Sequence, residues 1–164
     1  MTFWQRLTSV LGAPRVLRAL RFWPPYAGAG IRVTYADRQL REIAVEMTLR
    51  PWNQNYAGTH FGGSLYAMCD PFYMLMVIAN LGPDYSVWDR SATIAFLKPG
   101  RGRVRARCEL TDEQLRHIRD GVEREGKARP RFEVTVVDEA GDPVARIGKE
   151  LSVRKAMTPV ARTR

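Results

Sequence analysis

A single carboxylate stands in the longest apolar stretch of the chain. Asp70, followed by Pro71, is the only charged residue between Leu65 and Leu81. In apolar surroundings the ionised form of a carboxylate is disfavoured unless hydrogen-bond donors or a ligand compensate for the lost water. Asp-Pro is also the pattern of a helix N-cap followed by proline, which would restart a kinked helix. Asp70 is therefore a candidate for chemistry, for a helix start, or for both.

Two adjacent glycines precede this carboxylate. Gly62 and Gly63, at the start of a helix, would leave backbone N–H groups uncovered at the positive end of the helix dipole. Such groups can polarise a carbonyl and hold the oxyanion formed when it is attacked, although two glycines can also serve a tight turn. Eight residues of helix span about 12 Å, so Gly62 and Asp70 cannot act on one carbonyl within one chain. If both act on it, they must come from two subunits whose helices are antiparallel.

The element that carries these residues is apolar on every side. It runs from Gly62 to Leu81, is too long for a typical strand, and is followed by Gly82-Pro83, which is a helix stop signal. A helix of this kind must be enclosed by protein on all sides.

Alternating patterns on either side of this helix predict strands. Residues 31–35 and 43–49 alternate around a turn near Asp37 and predict a hairpin with one buried face. Between the later strands, Thr111 and Gln114 form the capping box of a short helix. Four further strands are predicted after the apolar helix, at residues 92–96, 104–110, 132–136 and 145–153.

The N-terminal residues have helical rather than strand periodicity. Two short amphipathic helices are predicted on either side of Gly12-Ala13-Pro14, packed as a lid or lying on a membrane surface. Residues 24–30 are predicted to be a connector. Four arginines interrupt this segment, which excludes a secretion signal. The predicted division is residues 1–27 as N-terminal helices, 28–155 as the main domain and 156–164 as a flexible tail.

Composition limits the protein to one ordinary globular domain. The chain has 164 residues, of which 45% are hydrophobic and 26% are charged. Its two cysteines lie inside apolar patterns and no zinc-ligand spacing occurs, so a reduced, cytoplasmic, metal-free protein is expected. The longest apolar stretch falls short of the roughly 20 residues that span a bilayer, so no stable membrane insertion is expected. The net charge of +9 is spread along the chain, which favours a solvated basic surface, suited to an anionic ligand, over a nucleic-acid site.

The order of these elements indicates one architecture. A single flat sheet covers only one side of an apolar helix, whereas a curved antiparallel sheet encloses most of it and a second copy of the chain can cover the rest. We therefore predict an α+β hot-dog fold: a six-stranded antiparallel sheet wrapped around a central helix, with N-terminal lid helices. The expected assembly is a homodimer, with a tetramer as the alternative.

The segment NYAGTHFGGSLYAMCD, residues 55–70, resembles a motif of the hot-dog thioesterase superfamily, especially its phenylacetyl-CoA thioesterase-like members. Those proteins carry an Asn, then Gly-Thr, then His-Gly-Gly, then six residues and an Asp. The segments LGPDYSVWDR and SATIAFLKPG also look like the family, closest to a branch carried as a domain of unknown function. The resemblance covers about residues 28–155. The matching positions are Asn55, Gly58, Thr59, Gly62, Gly63 and Asp70.

This resemblance implies hydrolysis of an acyl-CoA thioester at a dimer interface, with no cofactor beyond the coenzyme A of the substrate. Asp70 would be the nucleophile or the general base, and the amides of Gly62 and Gly63 would hold the oxyanion. Asn55 would bond the acyl group or the carboxylate, or would form only an Asx turn. Residues expected to contact substrate, or else to fill the core, are Thr59, His60, Phe61, Tyr66 and Tyr73.

One position departs from the family motif. The histidine of His-Gly-Gly is Phe61 here, and His60 lies one position early. A shift of one residue in a loop redirects the side chain, so the role of the family histidine is not assigned to His60. Phe61 favours an alternative function, an acyl-CoA or fatty-acyl binding protein without turnover. A hot-dog dehydratase would depend on His60, and nucleic-acid binding would depend on net charge alone.

Overall fold

The computed structural model describes residues 12–156 of the chain, and three short helical segments precede its sheet. They are α1 (Ala13–Ala19), a 3-10 turn (Leu20–Phe22) and α2 (Pro24–Ala29). The first predicted amphipathic helix and most of the predicted tail lie outside the described residues. The predicted connector at residues 24–30 is wrong, because Pro24 and Pro25 fit the first turn of a helix and begin α2. Gly30, with a φ of 74°, ends it.

A single antiparallel sheet forms the body of the domain. Its strands are β1 (Ile31–Ala36), β2 (Glu42–Thr48), β3 (Tyr85–Phe96), β4 (Arg103–Glu109), β5 (Lys127–Ala128), β6 (Arg131–Val137) and β7 (Pro143–Lys155). The spatial order is β1-β2-β4-β6-β7-β3, and the two-residue β5 pairs with β7. The six predicted strands are therefore present, and the short β5 is an addition that the alternation did not indicate.

One face of the sheet carries the core. On β4, the side chains of Val104, Ala106 and Cys108 are buried while the arginines between them are exposed, as the alternation predicts. Strand β7 continues the same face, with Ile147 and Leu151 fully buried. The helix predicted after β4 is α5 (Asp112–Glu125), and its capping box is formed by the two residues that the sequence indicates.

The apolar segment lies against this core face as two helices rather than one. They are α3 (Gly62–Ala67) and α4 (Phe72–Leu81), joined by a turn at residues 68–71. Proline lacks the N–H that a continuous helix requires, which explains the break at Pro71. By length and composition alone the stretch Gly62–Leu81 could cross a membrane, but in this fold it is the central helix against the sheet.

The sheet of one chain covers only one side of this central segment. Leu65, Met68, Phe72 and Met76 are buried against the sheet. Ile78, on the opposite side, is 40% exposed. The expected enclosure on every side is thus incomplete within a single chain.

Candidate functional site

Asp70 lies in the turn between α3 and α4 with one carboxylate oxygen held and the other free. Its Oδ1 accepts hydrogen bonds from the Tyr66 hydroxyl and from Lys149 Nζ, the latter at 2.7 Å. Among residues 12–156, none donates a hydrogen bond to Oδ2, and the side chain is 42% exposed. Asp70 does not cap α4, whose N-cap position is occupied by Pro71 without a side-chain hydrogen bond. The carboxylate is therefore oriented by its neighbours and open on one side.

Lys149 is the cation that holds this carboxylate. It lies on β7, its side chain is 1% exposed, and its Nζ is also 2.9 Å from Asp89 Oδ1 on β3 and 3.2 Å from the Tyr66 hydroxyl. Burial by itself lowers the pKa of the Lys149 ammonium, but its hydrogen bonds to Asp70, Asp89 and Tyr66 outweigh burial and raise the pKa above the ordinary value. The ammonium stays charged at neutral pH and bridges the two carboxylates.

Tyr66 completes the network one helical turn before Asp70. Burial, followed by the hydrogen bond to Asp70, raises the pKa of the Tyr66 hydroxyl. The phenol therefore keeps its proton and donates a hydrogen bond to the Asp70 carboxylate. The Lys149 ammonium also lies 5.4 Å from the centre of the Tyr66 ring, within the range of a cation–π contact.

Sequence analysis missed Lys149 and Asp89, although a signal for Lys149 was present. Lys149 stands in the inward-facing series of β7, between the buried residues Ile147 and Leu151. A lone cation in one apolar element and a lone carboxylate, Asp70, in another indicate a buried pair, because each charge needs a partner. No comparable signal pointed to Asp89.

Strand β3 is the edge of the sheet next to this network. Opposite residues of an antiparallel pair share a face, so Asp89, Ala92, Ile94 and Phe96 lie on the helix side with their β7 partners. The register shift between Asp89 and Ser91 lets Asp89 and Ala92, three positions apart, both point to that side. Val87, near the start of β3, is buried on this face, but from Asp89 onward the face is exposed except for the partly buried Ile94. An open apolar border therefore runs beside α3.

The two glycines lie at the far end of this border. Gly62 and Gly63 begin α3, and no described residue accepts a hydrogen bond from either backbone N–H. The Phe96 ring packs so close to Gly62 that a Cβ there would lie 2.7 Å from it. A Cβ on Gly63 would lie 2.5 Å from the Phe61 ring. A side chain at either position would therefore require an exposed phenylalanine ring to shift, and both amides remain available.

Asn55 is fully occupied within its own loop. Its Nδ2 donates to Thr59 Oγ1 and to the His60 carbonyl, and its Oδ1 accepts from the backbone N–H groups of Ala57 and Thr59. No hydrogen-bonding position is left for a substrate or for Asp70. The Asx-turn alternative describes the contacts of this residue, and a direct catalytic role for Asn55 stays a prediction. Thr59, buried and bonded to Asn55, likewise shapes the loop.

The side chains at positions 60 and 61 face opposite ways. His60 is buried, and its Nε2 lies 3.0 Å from the Gly102 carbonyl, while Nδ1 has no partner among the described residues. Burial lowers the pKa of His60, partly offset by the hydrogen bond to Gly102. Phe61 is exposed beside Gly63. The one-residue shift thus places the histidine in the interior, away from the open border, so the structure does not support His60 as a substrate contact.

Tyr73 also belongs to the core rather than to the open border. Its ring stacks on Phe132 with centroids 4.4 Å apart, and its hydroxyl donates to the Glu133 carbonyl at 3.1 Å. Of the predicted substrate contacts, only Phe61 and Tyr66 keep atoms near the open side of α3. Within residues 12–156, no group of three or more His, Cys, Asp or Glu side chains could hold a metal ion.

Solved structures share this architecture at low sequence identity. A Pseudomonas aeruginosa protein, PA5026, described as a protein of unknown function and "Probable Thioesterase", superposes with a TM-score of 0.76 at 19% identity, covering 87% of this chain and 95% of that one. The Haemophilus influenzae thioesterase HI1161 has a TM-score of 0.64 at 16% identity, covering 90% of this chain and 94% of that one. No curated protein matches the sequence. The molecule is therefore a hot-dog protein with the fold of solved thioesterases.

The family can be stated more closely. The family model "Domain of unknown function (DUF4442)" matches residues 12–153, and the chain belongs to that family.

Proposed function

We propose that this chain is a homodimeric hydrolase of acyl thioesters, with coenzyme A as the carrier of the acyl group and no other cofactor. The observation that carries the proposal is the geometry of Asp70. Its Oδ1 is fixed by Lys149 and Tyr66, while Oδ2 is free at the open apolar border beside α3. A catalytic carboxylate needs this combination of fixed orientation and access to a substrate.

The chemistry follows from the two available groups. In the general-base route, Asp70 Oδ2 removes a proton from water, whose oxygen attacks the thioester carbonyl carbon. The carbonyl oxygen becomes an oxyanion that accepts hydrogen bonds from uncovered backbone amides, for which Gly62 and Gly63 are the candidates. Collapse of this intermediate breaks the carbon–sulfur bond, and the departing thiolate takes up the proton. In the nucleophilic route Oδ2 attacks the carbonyl carbon and expels the thiolate, which leaves a mixed anhydride on Asp70. Water then hydrolyses this anhydride to the free acid and the regenerated carboxylate, and the thiolate takes up a proton released from the water.

The proposed site needs two subunits. Asp70 and the glycine amides are separated by more than two helical turns, so one carbonyl cannot reach both within one chain. Strand β3 offers a dimer surface, because it has 12 residues, pairs with no strand of residues 12–156 other than β7, and exposes most of its side chains, including Trp88. A long exposed edge strand is a template for pairing with another chain. Pairing along β3 would also cover the open side of the central helix.

The primary test is thiol release from short, aromatic and long acyl-CoA substrates. Asp70→Asn is expected to reduce kcat about 100- to 10,000-fold, the usual contribution of a general base. Asp89→Asn is the matched control, because Asp89 bonds the same ammonium but is not assigned to attack. The proposal fails if Asp70→Asn turns over as fast as the wild type, or if both variants lose the same activity.

Complementation tests the shared site separately. Gly62→Val would place a side chain against the Phe96 ring and block the amide, and is expected to be inactive, as is Asp70→Asn. Co-expression of the two should restore roughly one quarter of wild-type activity, since half of randomly paired dimers are mixed and each holds one intact site. Absence of any recovery in a verified mixed dimer would contradict a site built from two subunits.

A second candidate is supported by Phe61. Its ring lies against Gly63 at the position where the related motif has histidine, which suits a protein that binds acyl-CoA without hydrolysis. Tight binding by calorimetry with no thiol release from the wild type would favour this candidate. In that case Phe61→His, which restores His-Gly-Gly, is the variant in which to look for gained turnover.

We also infer a cytoplasmic location. Cys69 and Cys108 are both free and buried, which suits a reducing compartment in which no disulfide is required.

A further inference from the structure

The N-terminal end of the domain carries arginines but no acidic residue in its own sequence, although Arg32 of β1 pairs with Glu46 of β2 at 2.6 Å. The first 36 residues of the chain contain five arginines and neither Asp nor Glu. Arg15, Arg18 and Arg21 follow at three-residue intervals along α1 and the 3-10 turn, and all three are exposed. Among the described residues none of the three lies in a salt bridge. This end of the molecule therefore presents a local cationic surface within an overall charge of +9.

Two exposed aromatic residues follow these arginines in the chain, and a third lies in the loop after β2. Phe22 is 72% exposed, Trp23 is 42% exposed, and Trp52 of the loop after β2 is 71% exposed. Arg21, Phe22 and Trp52 border the same groove, with a volume of about 270 Å³. Between Phe22 and Ala29 the chain contains no charged residue, and most of these residues are exposed. An exposed apolar segment of this kind next to cations marks an interaction surface.

The framework behind this surface is fixed. Val16, Leu17 and Tyr26 are buried, and the Tyr26 hydroxyl donates to the Ala67 carbonyl at the end of α3. The buried side of α1 and α2 faces the domain, so the arginines and the exposed aromatic side chains face away from it. We call Arg15, Arg18, Arg21, Phe22, Trp23 and Trp52 the aromatic–arginine surface.

We propose that the aromatic–arginine surface binds peripherally to an anionic lipid bilayer. Tryptophan and phenylalanine enter the headgroup and upper acyl region, and arginine pairs with lipid phosphates. A nucleic acid would require aromatic side chains along a groove that follows a charged backbone. Here a continuous apolar segment, residues 22–29, follows the arginines. This segment can insert into a lipid bilayer, whereas a nucleic acid would make no favourable contact with it. Binding is on the surface, with no segment crossing the membrane.

The test is sedimentation of the full-length chain with phosphatidylcholine vesicles, with and without phosphatidylglycerol. The expected result is binding to the anionic vesicles only, weakened by salt. Each arginine near such a surface contributes about 1 kcal/mol, so the triple variant Arg15→Gln, Arg18→Gln, Arg21→Gln should reduce partitioning by roughly 100-fold. Phe22→Ser with Trp52→Ser should reduce it as well, because apolar insertion is lost.

The control has the same charge change on another surface. Arg103, Arg105 and Arg107 are exposed on the outer face of β4, and replacing all three by glutamine should leave partitioning nearly unchanged. Equal loss in both triple variants would show that only net charge matters, and would overturn the proposal. It is also overturned if the wild type ignores anionic vesicles, or binds single-stranded DNA through the same arginines while ignoring vesicles. Thermal melts of every variant confirm that the fold is intact.

Discussion

Replacing Lys149 by methionine tests the network around Asp70 most directly. Methionine keeps an unbranched apolar stem of similar length but removes the ammonium. The variant loses hydrogen bonds to Asp70 at 2.7 Å, to Asp89 at 2.9 Å and to the Tyr66 hydroxyl at 3.2 Å. In the wild type Asp70 and Asp89 share the Lys149 ammonium. In the variant the two carboxylates lie near each other without a cation between them.

The expected loss of stability follows from burial. Breaking a buried ion pair costs about 3 to 5 kcal/mol. The carboxylate side chains of Asp70 and Asp89 are 42% and 34% exposed, so water can replace part of the ammonium. We therefore expect about 3 kcal/mol, the lower end of that range. For a domain of this length the melting temperature should fall by roughly 10 °C.

The loss should depend on pH. The hydrogen bonds of Lys149 raise the pKa of its ammonium in the folded protein, so the stability that this group contributes is present below its ordinary pKa of about 10.4 and is lost as the pH rises above that value. The difference in unfolding free energy between wild type and Lys149→Met should therefore be larger near neutral pH than at about pH 11. Urea unfolding at both pH values, at a fixed protein concentration, measures it.

Lys98 provides the matched control. Its Nζ also bridges two aspartates, at 2.7 Å from Asp138 and 2.8 Å from Asp142, but on an exposed turn. Exposed ion pairs contribute little, so Lys98→Met should cost clearly less than Lys149→Met. If both variants lose the same small amount, the buried network does not stabilise the fold and the reasoning is wrong. Adding Asp70→Leu to Lys149→Met should recover part of the stability but none of the activity.

Three other predictions concern neighbouring features. Because burial lowers the pKa of His60, the unfolded state takes up a proton near pH 6.5 before the folded state does. Wild-type stability should therefore fall by up to about 1.4 kcal/mol per pH unit as the pH drops below about 6.5, and His60→Gln should remove this contribution to the slope in urea titrations. Burial raises the pKa of the Cys108 thiol to about 12 and that of the Cys69 thiol well above its usual value. Both thiols should therefore react with a disulfide reagent only as fast as the protein unfolds, and prompt labelling of the native protein would contradict their burial. Gly62→Ala meets only the end of the exposed Phe96 ring, so it should change stability by less than about 1 kcal/mol while reducing thioester turnover, and a large drop in melting temperature would show that the close approach is structural.

Local patterns predicted the elements that local physics determines. The hairpin of β1 and β2 and the inward series of β4 were predicted because alternation with one buried face leaves a single register for the core. The start of α5 was predicted at its first residue, since the capping box is made by residues three apart. Each of these features needs only neighbouring residues or one periodicity.

The errors occur where tertiary contacts override such patterns. The segment Gly62–Leu81 was predicted as one apolar helix, with a restart at Asp70-Pro71 as an open alternative. The structure has the break, but Asp70 turns toward Lys149 instead of capping α4. The first half of β3 was missed because Asp89 and Arg90 break its alternation at a bulge. The sequence could not decide whether the Asn55 side chain bonds its own loop or a substrate, because the same amide group would make either set of hydrogen bonds.

The network itself gives an argument about function. A buried ion pair adds little to stability compared with apolar residues of similar size, so stability alone is a weak reason to keep one in a core. Here Lys149 stands at an inward-facing position of β7 where the pattern predicts an apolar residue, and Asp70 stands in the most apolar segment of the chain. Departures from local patterns of this kind concentrate at functional sites. That both departures meet at one carboxylate, held on one oxygen and open on the other, supports the assignment of Asp70 to chemistry rather than to folding.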